Sequence, residues 1–321
     1  MSNTNSHLSG VAQTMLDTIT YLSDESKNPS PICSSSCIKH RSSFQVGFVE
    51  DRNKRHRRHM EDAHCYEYDF GDVPDQGFFA IFDGHAGHAA AKWCGENFHH
   101  LFLKNLIEHS ELSIPEVLNR TYQDADSVLD EKNGYKSGCT SVTCFLRHER
   151  ILVKDSDGSS TPVTRTAVRL FFKLSRESCI LLTLVMEEEY CRNRSGKAIR
   201  LTYDHKASDP TEKQRIIEAN GHVINDRVNA VLAVTRALGD SYLKEHVVGL
   251  PFTTEVELTK DDEFIIIACD GLWDVCSDQN AVELIGHIEN PQEAAKKLLN
   301  FALENCSTDN ISVMVIRLNS K

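Results

Sequence analysis

Two apolar runs that each end in Asp-Gly constrain this chain more than any other feature. The first, Phe79-Ala-Ile-Phe82, stops at Asp83-Gly84-His85; the second, Phe264-Ile-Ile-Ile-Ala-Cys269, stops at Asp270-Gly271, with Asp274 four residues on. Runs this apolar read as buried strands. A carboxylate at the end of such a strand is held rigidly at the lip of a core with its oxygens facing a cleft, which suits a hard cation such as Mg²⁺ or Mn²⁺. A single Asp-Gly after a strand is more often a turn, so it is the repetition that points to a metal centre.

The chain has 321 residues, enough to bury a large core. Its net charge of -12 disfavours nucleic acid or an anionic membrane as the main partner. No apolar run approaches the roughly 20 residues of a membrane span, and no signal-peptide pattern opens the sequence. The eleven cysteines are scattered, some inside apolar runs (Cys144, Cys269), as reduced buried thiols are; a cytoplasmic or nuclear setting is expected. Cys33 and Cys37 form too loose a pair for a zinc site. Residues 1–42, rich in Ser, Asn and Thr, are expected to be a mobile tail, and 43–321 the folded domain.

Along that domain, Phe44 to Val49 alternates as a strand does. The basic run Arg52 to His59, just before Glu61-Asp62, reads as a solvated loop, as a nuclear-localisation patch or as a site that attracts an anionic substrate. Trp93, Phe98, Leu101, Phe102 and Leu106 recur at helical spacing, and a second helix follows a Ser113 cap with Pro115 in its first turn. Ser137 and Thr140 lack a His/Asp pair at recognisable spacing, so turn chemistry is preferred to a nucleophile. Arg147 to Thr166 reads as an insertion loop, part of an irregular stretch over about 147–192. Further on, Asp209-Pro210 opens a helix that Gly221 should close, and Asp278 and Asn290 are expected caps. Strands do not alternate regularly with helices, which favours α+β with antiparallel sheet.

Carboxylates stand at Glu61 and Asp62, Asp83, Asp270 and Asp274, and Asp309. Brought together they repel unless a cation binds, and oxygen donors without His or Cys select Mg²⁺ or Mn²⁺ over zinc. Two such ions roughly 3.5–4 Å apart lower the pKa of a bridging water and clamp an attacked phosphorus, which is what slow phosphate-monoester hydrolysis requires. Arg57 could grip two phosphate oxygens and His85 donate a proton to a leaving alkoxide; the plain alternative for His85 is a packing histidine.

The segments Arg57-Arg-His-Met-Glu61-Asp62-Ala, Phe82-Asp83-Gly-His-Ala-Gly, Ser137-Gly-Cys-Thr, Ala233-Val-Thr-Arg-Ala-Leu-Gly-Asp240, Ala268-Cys-Asp270-Gly-Leu-Trp-Asp274-Val and Ser307-Thr-Asp309-Asn310 resemble, in order and spacing from about residue 44 to 318, the signatures of the metal-dependent protein serine/threonine phosphatases of type 2C. The nearest pattern is that of the short fungal members. The resemblance implies a sandwich of two antiparallel β-sheets flanked by helices, with metals in a cleft at one end. It implies Asp83 bridging two ions, Glu61 and the Gly84 carbonyl on one, Asp270 and Asp309 on the other, and Asp62 supporting Glu61. Arg57 then resembles the phosphate-binding arginine, His85 the general acid, and Asp274 a ligand of a weaker third metal. Phosphorylated protein substrates, kinases of a stress-activated cascade among them, negative regulation of kinase signalling and a monomeric state are the further expectations.

Two departures stand out. Ala230 replaces a turn glycine, and Phe172 to Cys191 lacks the family's Asn-Val-Gly-Asp strand. Cys179 to Tyr190 can be back-translated so that a one-nucleotide shift restores that strand, with family pattern resuming at Cys191. We read the segment as a reading-frame or splicing slip; the alternatives are a divergent strand at Cys179 to Val185 and a catalytically impaired, scaffold-binding pseudophosphatase.

Overall fold

The computed structural model describes residues 42–131, 136–153, 163–174, 180–184, 196–202, 205–250, 252–258 and 262–318. In chain order the strands are β1 (Phe44–Asp51), β2 (Ala63–Tyr68), β3 (Gly77–His85), β4 (Gly138–Val153), β5 (Val163–Leu174), β6 (Ile180–Leu184), β7 (Lys197–Arg200), β8 (Val223–Ile224), β9 (Arg227–Val228), β10 (Leu238–Gly239), β11 (Phe252–Leu258), β12 (Asp262–Ala268) and β13 (Ile311–Leu318). The helices are α1 (Ala89–Glu108), α2 (Ile114–Glu131), α3 (Pro210–Glu218), α4 (Asp270–Trp273), α5 (Asp278–Ile285) and α6 (Pro291–Glu304). One antiparallel sheet has the order β1-β13-β12-β6-β7 and the other β11-β5-β4-β3-β2, with β10 paired to β4.

The unbroken apolarity of Phe78 to Phe82 in β3 and of Phe264 to Ala268 in β12 follows from burial on both faces, with successive side chains leaving opposite sides. Phe78, Ala80 and Phe82 pack with Phe98, Phe102 and Tyr122 of α1 and α2, whereas Phe79 and Ile81 face Ile265, Ile267, Met314 and Ile316 between the sheets. Phe264, Ile266 and Ala268 turn the other way, onto Val282, Leu298 and Ala302 of α5 and α6. Helices, sheet, sheet and helices therefore stack in that order, and the expected α+β sandwich is what forms. Cys94, Cys139, Cys144, Cys269 and Cys276 are free and buried in it.

Several local expectations change. Of the expected loop Arg147 to Thr166, residues 147–153 and 163–166 are strand, because β4 and β5 pair continuously from Val142↔Leu174 to Val153↔Val163, and residues 154–162 lie outside the described residues. A ladder of backbone bonds tolerates the polar residues that suggested a loop. Asn220, at φ 60°, takes the left-handed position after α3 that was expected of Gly221. Ser277 rather than Asp278 caps α5, its side chain accepting from the Asn280 N–H, while Asp209 and Asn290 cap as expected. Ile180–Leu184 does pair, with β12 on one side and β7 on the other. Met186 to Glu189, Cys33, Cys37 and the N-terminal tail lie outside the described residues. No helix among the described residues is long and apolar enough to cross a membrane.

Candidate active site

The end of β3, the start of α4 and the start of β13 meet against the loop between β1 and β2, and Asn310 ties that loop down. Its side-chain amide donates to the carbonyls of Arg52 at 2.9 Å and His59 at 3.0 Å, and its Oδ1 accepts from the Glu61 N–H at 2.9 Å. Asn53 adds a bond to the Ser307 carbonyl at 2.6 Å. Gly84 matters through what it lacks: a Cβ there would lie 2.3 Å from the Glu61 carbonyl oxygen, so only glycine lets the end of β3 touch Glu61.

Four of the expected carboxylates converge. Asp62 accepts from Ser312 Oγ at 2.7 Å. Burial pushes its carboxyl up to about 6; hydrogen bonds from Ser312 and Cys269 and one with Asp83 oppose this, and the charge of Asp309 adds to it. The Cys269 thiol is held well above its ordinary range by burial and then by the charges of Asp62, Asp83 and Asp270. Its sulfur is already engaged by backbone, donating to the Asn310 carbonyl at 3.4 Å and accepting from the Ser312 N–H at 3.1 Å. The donor set facing the cleft is thus oxygen, which fits Mg²⁺ or Mn²⁺. Among the described residues no three of these carboxylates offer oxygens mutually within 4.8 Å; the trio of ligand atoms that does is Cys65, Glu67 and His99, elsewhere in the fold. Like charges held apart in this way favour ions between them.

Arg57 sits on the rim, paired with Asp309 and donating from Nε to the Thr308 carbonyl at 3.3 Å. Asp274 is exposed, one turn beyond Asp270, its N–H donating to the Asp270 carbonyl at 2.9 Å; it is not drawn into the cluster around Cys269. His85 ends β3 with Nε2 at 2.6 Å from Asp240 Oδ2. The Asp240 N–H bonds the Ser137 carbonyl, and Ser137 Oγ accepts from the Ala90 N–H at the start of α1. Ser137 Oγ thus satisfies a free N–H at the start of α1.

Asp240, Asn310 and Ser312 contact the expected site residues, and the sequence analysis assigned them no role. Asp240 follows Gly239 with positive φ at both residues, and from sequence the pair signals no more than a turn.

The family model of protein phosphatase 2C matches residues 46–154 and 191–311. Protein phosphatase 2C homolog 1 of Saccharomyces cerevisiae is 44% identical over 275 residues, which is 86% of this chain and 94% of that protein. The chain belongs to the protein phosphatase 2C family. It is accordingly a protein serine/threonine phosphatase, and its substrates are phosphoproteins. The Schizosaccharomyces pombe protein phosphatase 2C homolog 1 is 40% identical over 299 residues, 92% of this chain and 79% of that one. In fold the chain is similar to a C. elegans sex-determining protein (TM-score 0.70, 23% identity, 99% of this chain and 76% of that one) and to a Toxoplasma gondii phosphatase (TM-score 0.68, 21% identity, 87% and 93%).

Proposed function

We propose that this phosphatase hydrolyses phosphoserine and phosphothreonine with two divalent cations, Mg²⁺ or Mn²⁺, in the carboxylate cleft, with a weaker third at Asp274. The observation that carries this is the convergence of Asp62, Asp83 and Asp270 around Cys269, with Asp309 beside Asp62. Asp83 would be shared, with Glu61 and the Gly84 carbonyl to one side and Asp270 and Asp309 to the other, Asp62 buttressing Glu61. When bound, the ions supply an activated water and positive charge against the phosphoryl oxygens. Arg57 turns from Asp309 to hold two phosphate oxygens as a fork. His85 is oriented by Asp240 through Nε2, so the proton it offers the leaving alkoxide is the one on Nδ1.

Substrates among kinases of a stress-activated cascade, with the enzyme as a negative regulator, and a monomeric state in cytoplasm and nucleus complete the reading. A phosphopeptide assay with Mn²⁺, repeated with a chelator, tests it. Turnover that vanishes on chelation and returns with Mn²⁺ is the expected result; metal-independent turnover overturns the metal assignment. The impaired, scaffold-binding reading draws on the break in the family match between residues 154 and 191, and is what an assay silent at every Mn²⁺ concentration would support.

A further inference from the structure

Away from the cleft, one cluster combines a thiol, an imidazole and a carboxylate. Cys65 and Glu67 are two apart on β2, so both leave the same face of the strand, and Cys65 packs there against the helix-side core. The helix α1 comes close at this edge: a Cβ on Gly95 would lie 3.1 Å from Ala63 Cβ and 3.3 Å from the His64 carbonyl. One turn further along the same side of α1 stands His99. The close approach leaves one ligand atom each from Cys65, Glu67 and His99 within 4.8 Å of one another, with His99 Nε2 3.5 Å from Glu67 Oε1.

The His99–Glu67 contact alone leaves two features unexplained. A thiol lies within reach of both partners, and His99 Nδ1 is buried with no hydrogen-bond partner among the described residues. Burial, reinforced by His100, lowers the His99 imidazole to about 4, so it is neutral at pH 7 and able to ligate. Burial and the neighbouring Glu67 push the Cys65 thiol up to about 12, so it keeps its proton until a cation displaces it. The Glu67 side chain is 44% exposed, which gives an ion a way in.

We propose that Cys65, Glu67 and His99 form a second metal site, separate from the carboxylate cleft, for one borderline-soft divalent cation of the Zn²⁺ class. One sulfur, one imidazole nitrogen and one carboxylate oxygen are the donors zinc takes, with water in the fourth tetrahedral position, whereas Mg²⁺ and Mn²⁺ prefer the oxygen cleft. Bonds of roughly 2.0–2.3 Å at tetrahedral angles ask the trio to contract by about 1 Å, within reach of side-chain rotation. On binding, the thiol proton passes to solvent and the sulfur lone pair forms the metal bond; no electron is transferred. The ion clamps the β2 edge of the sheet to α1.

Co²⁺ is the probe, added anaerobically to the full chain in excess Mg²⁺, which occupies the cleft. One equivalent should develop a near-ultraviolet thiolate-to-cobalt charge-transfer band with the visible absorption of a tetrahedral site, and Zn²⁺ should bleach both. Cys65→Ser should abolish the band, and His99→Gln should weaken Co²⁺ binding at least about tenfold. No band, or a band that survives Cys65→Ser because another cysteine supplies the sulfur, overturns the site. Should Cys65→Ser prevent folding, the half-exposed Glu67→Gln decides: tenfold weaker binding supports the site, and unchanged affinity with an intact band overturns it.

Discussion

His85 Nε2 lies 2.6 Å from Oδ2 of Asp240, a carboxylate with no solvent exposure whose Oδ1 has no hydrogen-bond partner among the described residues. A buried carboxylate is costly unless paired, so the two side chains fix one another, and Nδ1 is the ring nitrogen that Asp240 does not engage.

Asp240→Asn should therefore lower kcat on phosphopeptides with little change in KM, toward the roughly 10²–10⁴-fold loss of a missing general acid. An aryl phosphate, whose leaving group needs no proton, should lose far less. Equal losses on both substrates would mean that Asp240 only holds the fold together.

Asp270→Asn should cost at least about 10²-fold in turnover while changing stability by less than about 1 kcal/mol, because Asp270 heads a short helix at the cleft rather than filling the core. Activity against Mn²⁺ concentration, beside a thermal melt, separates the two effects; a collapsed melt would contradict the metal-ligand role.

Arg57 is paired with Asp309, which places the guanidinium between two duties. Arg57→Ala should raise KM for phosphopeptide about tenfold, in line with the roughly 1.5–3 kcal/mol of a charged hydrogen bond. The Mn²⁺ concentration giving half-maximal activity should stay level or fall, since a competing cation has left Asp309. A higher Mn²⁺ requirement with unchanged KM would refute the phosphate role.

The strands that lead to Asp83 and Asp270 were legible because burial on both faces leaves no polar gap from Phe78 to Phe82 or from Phe264 to Ala268. The partners of the site were not. Asp240 is 155 residues from His85 and Asn310 is 258 from Arg52, and no local periodicity links such pairs. The paired extent of β4 and β5 was hidden for another reason: its polar residues, from Arg147 to Arg150 and at Thr164 to Thr166, carry no alternation, and the pairing is made by the backbone.

Acid should unlock a second buried charge. Glu212 in α3 is 1% exposed and bonds Arg215 Nη2 at 2.9 Å and Arg236 Nε at 3.1 Å. Burial works to raise its pKa, yet hydrogen bonds from His205, Arg236 and Arg215 prevail and hold it well below the ordinary carboxylate range. A depressed folded value means that this stability is present above the unfolded pKa of 4.5 and is lost as pH falls toward the folded one. Glu212→Gln should cost about 2–3 kcal/mol at neutral pH, the lower side of a broken buried pair because both arginines are partly solvated. Urea melts should show that gap narrowing below about pH 4.5; a gap that widens in acid would contradict the assignment.

The remaining prediction concerns Phe172 to Cys191. The family match stops at residue 154 and resumes at 191, the position where pattern returns if Cys179 to Tyr190 is read one nucleotide out of frame as a strand ending Asn-Val-Gly-Asp. Ile180–Leu184 occupies a place between β12 and β7, but its register with β12 shifts between Asp262 and Ile265. The out-of-frame version would supply a strand there and an added carboxylate toward the third-metal position, where the chain as written instead continues into Met186 to Glu189. Any of those glutamates left desolvated and unpaired costs several kcal/mol. Sequencing the transcript across these codons should reveal the compensating shift or a displaced splice boundary, and the corrected protein should exceed the written one in Mn²⁺-dependent turnover and in melting temperature. A single uninterrupted frame encoding Met186-Glu-Glu-Glu189 in a stable, active phosphatase would show the divergent strand to be native.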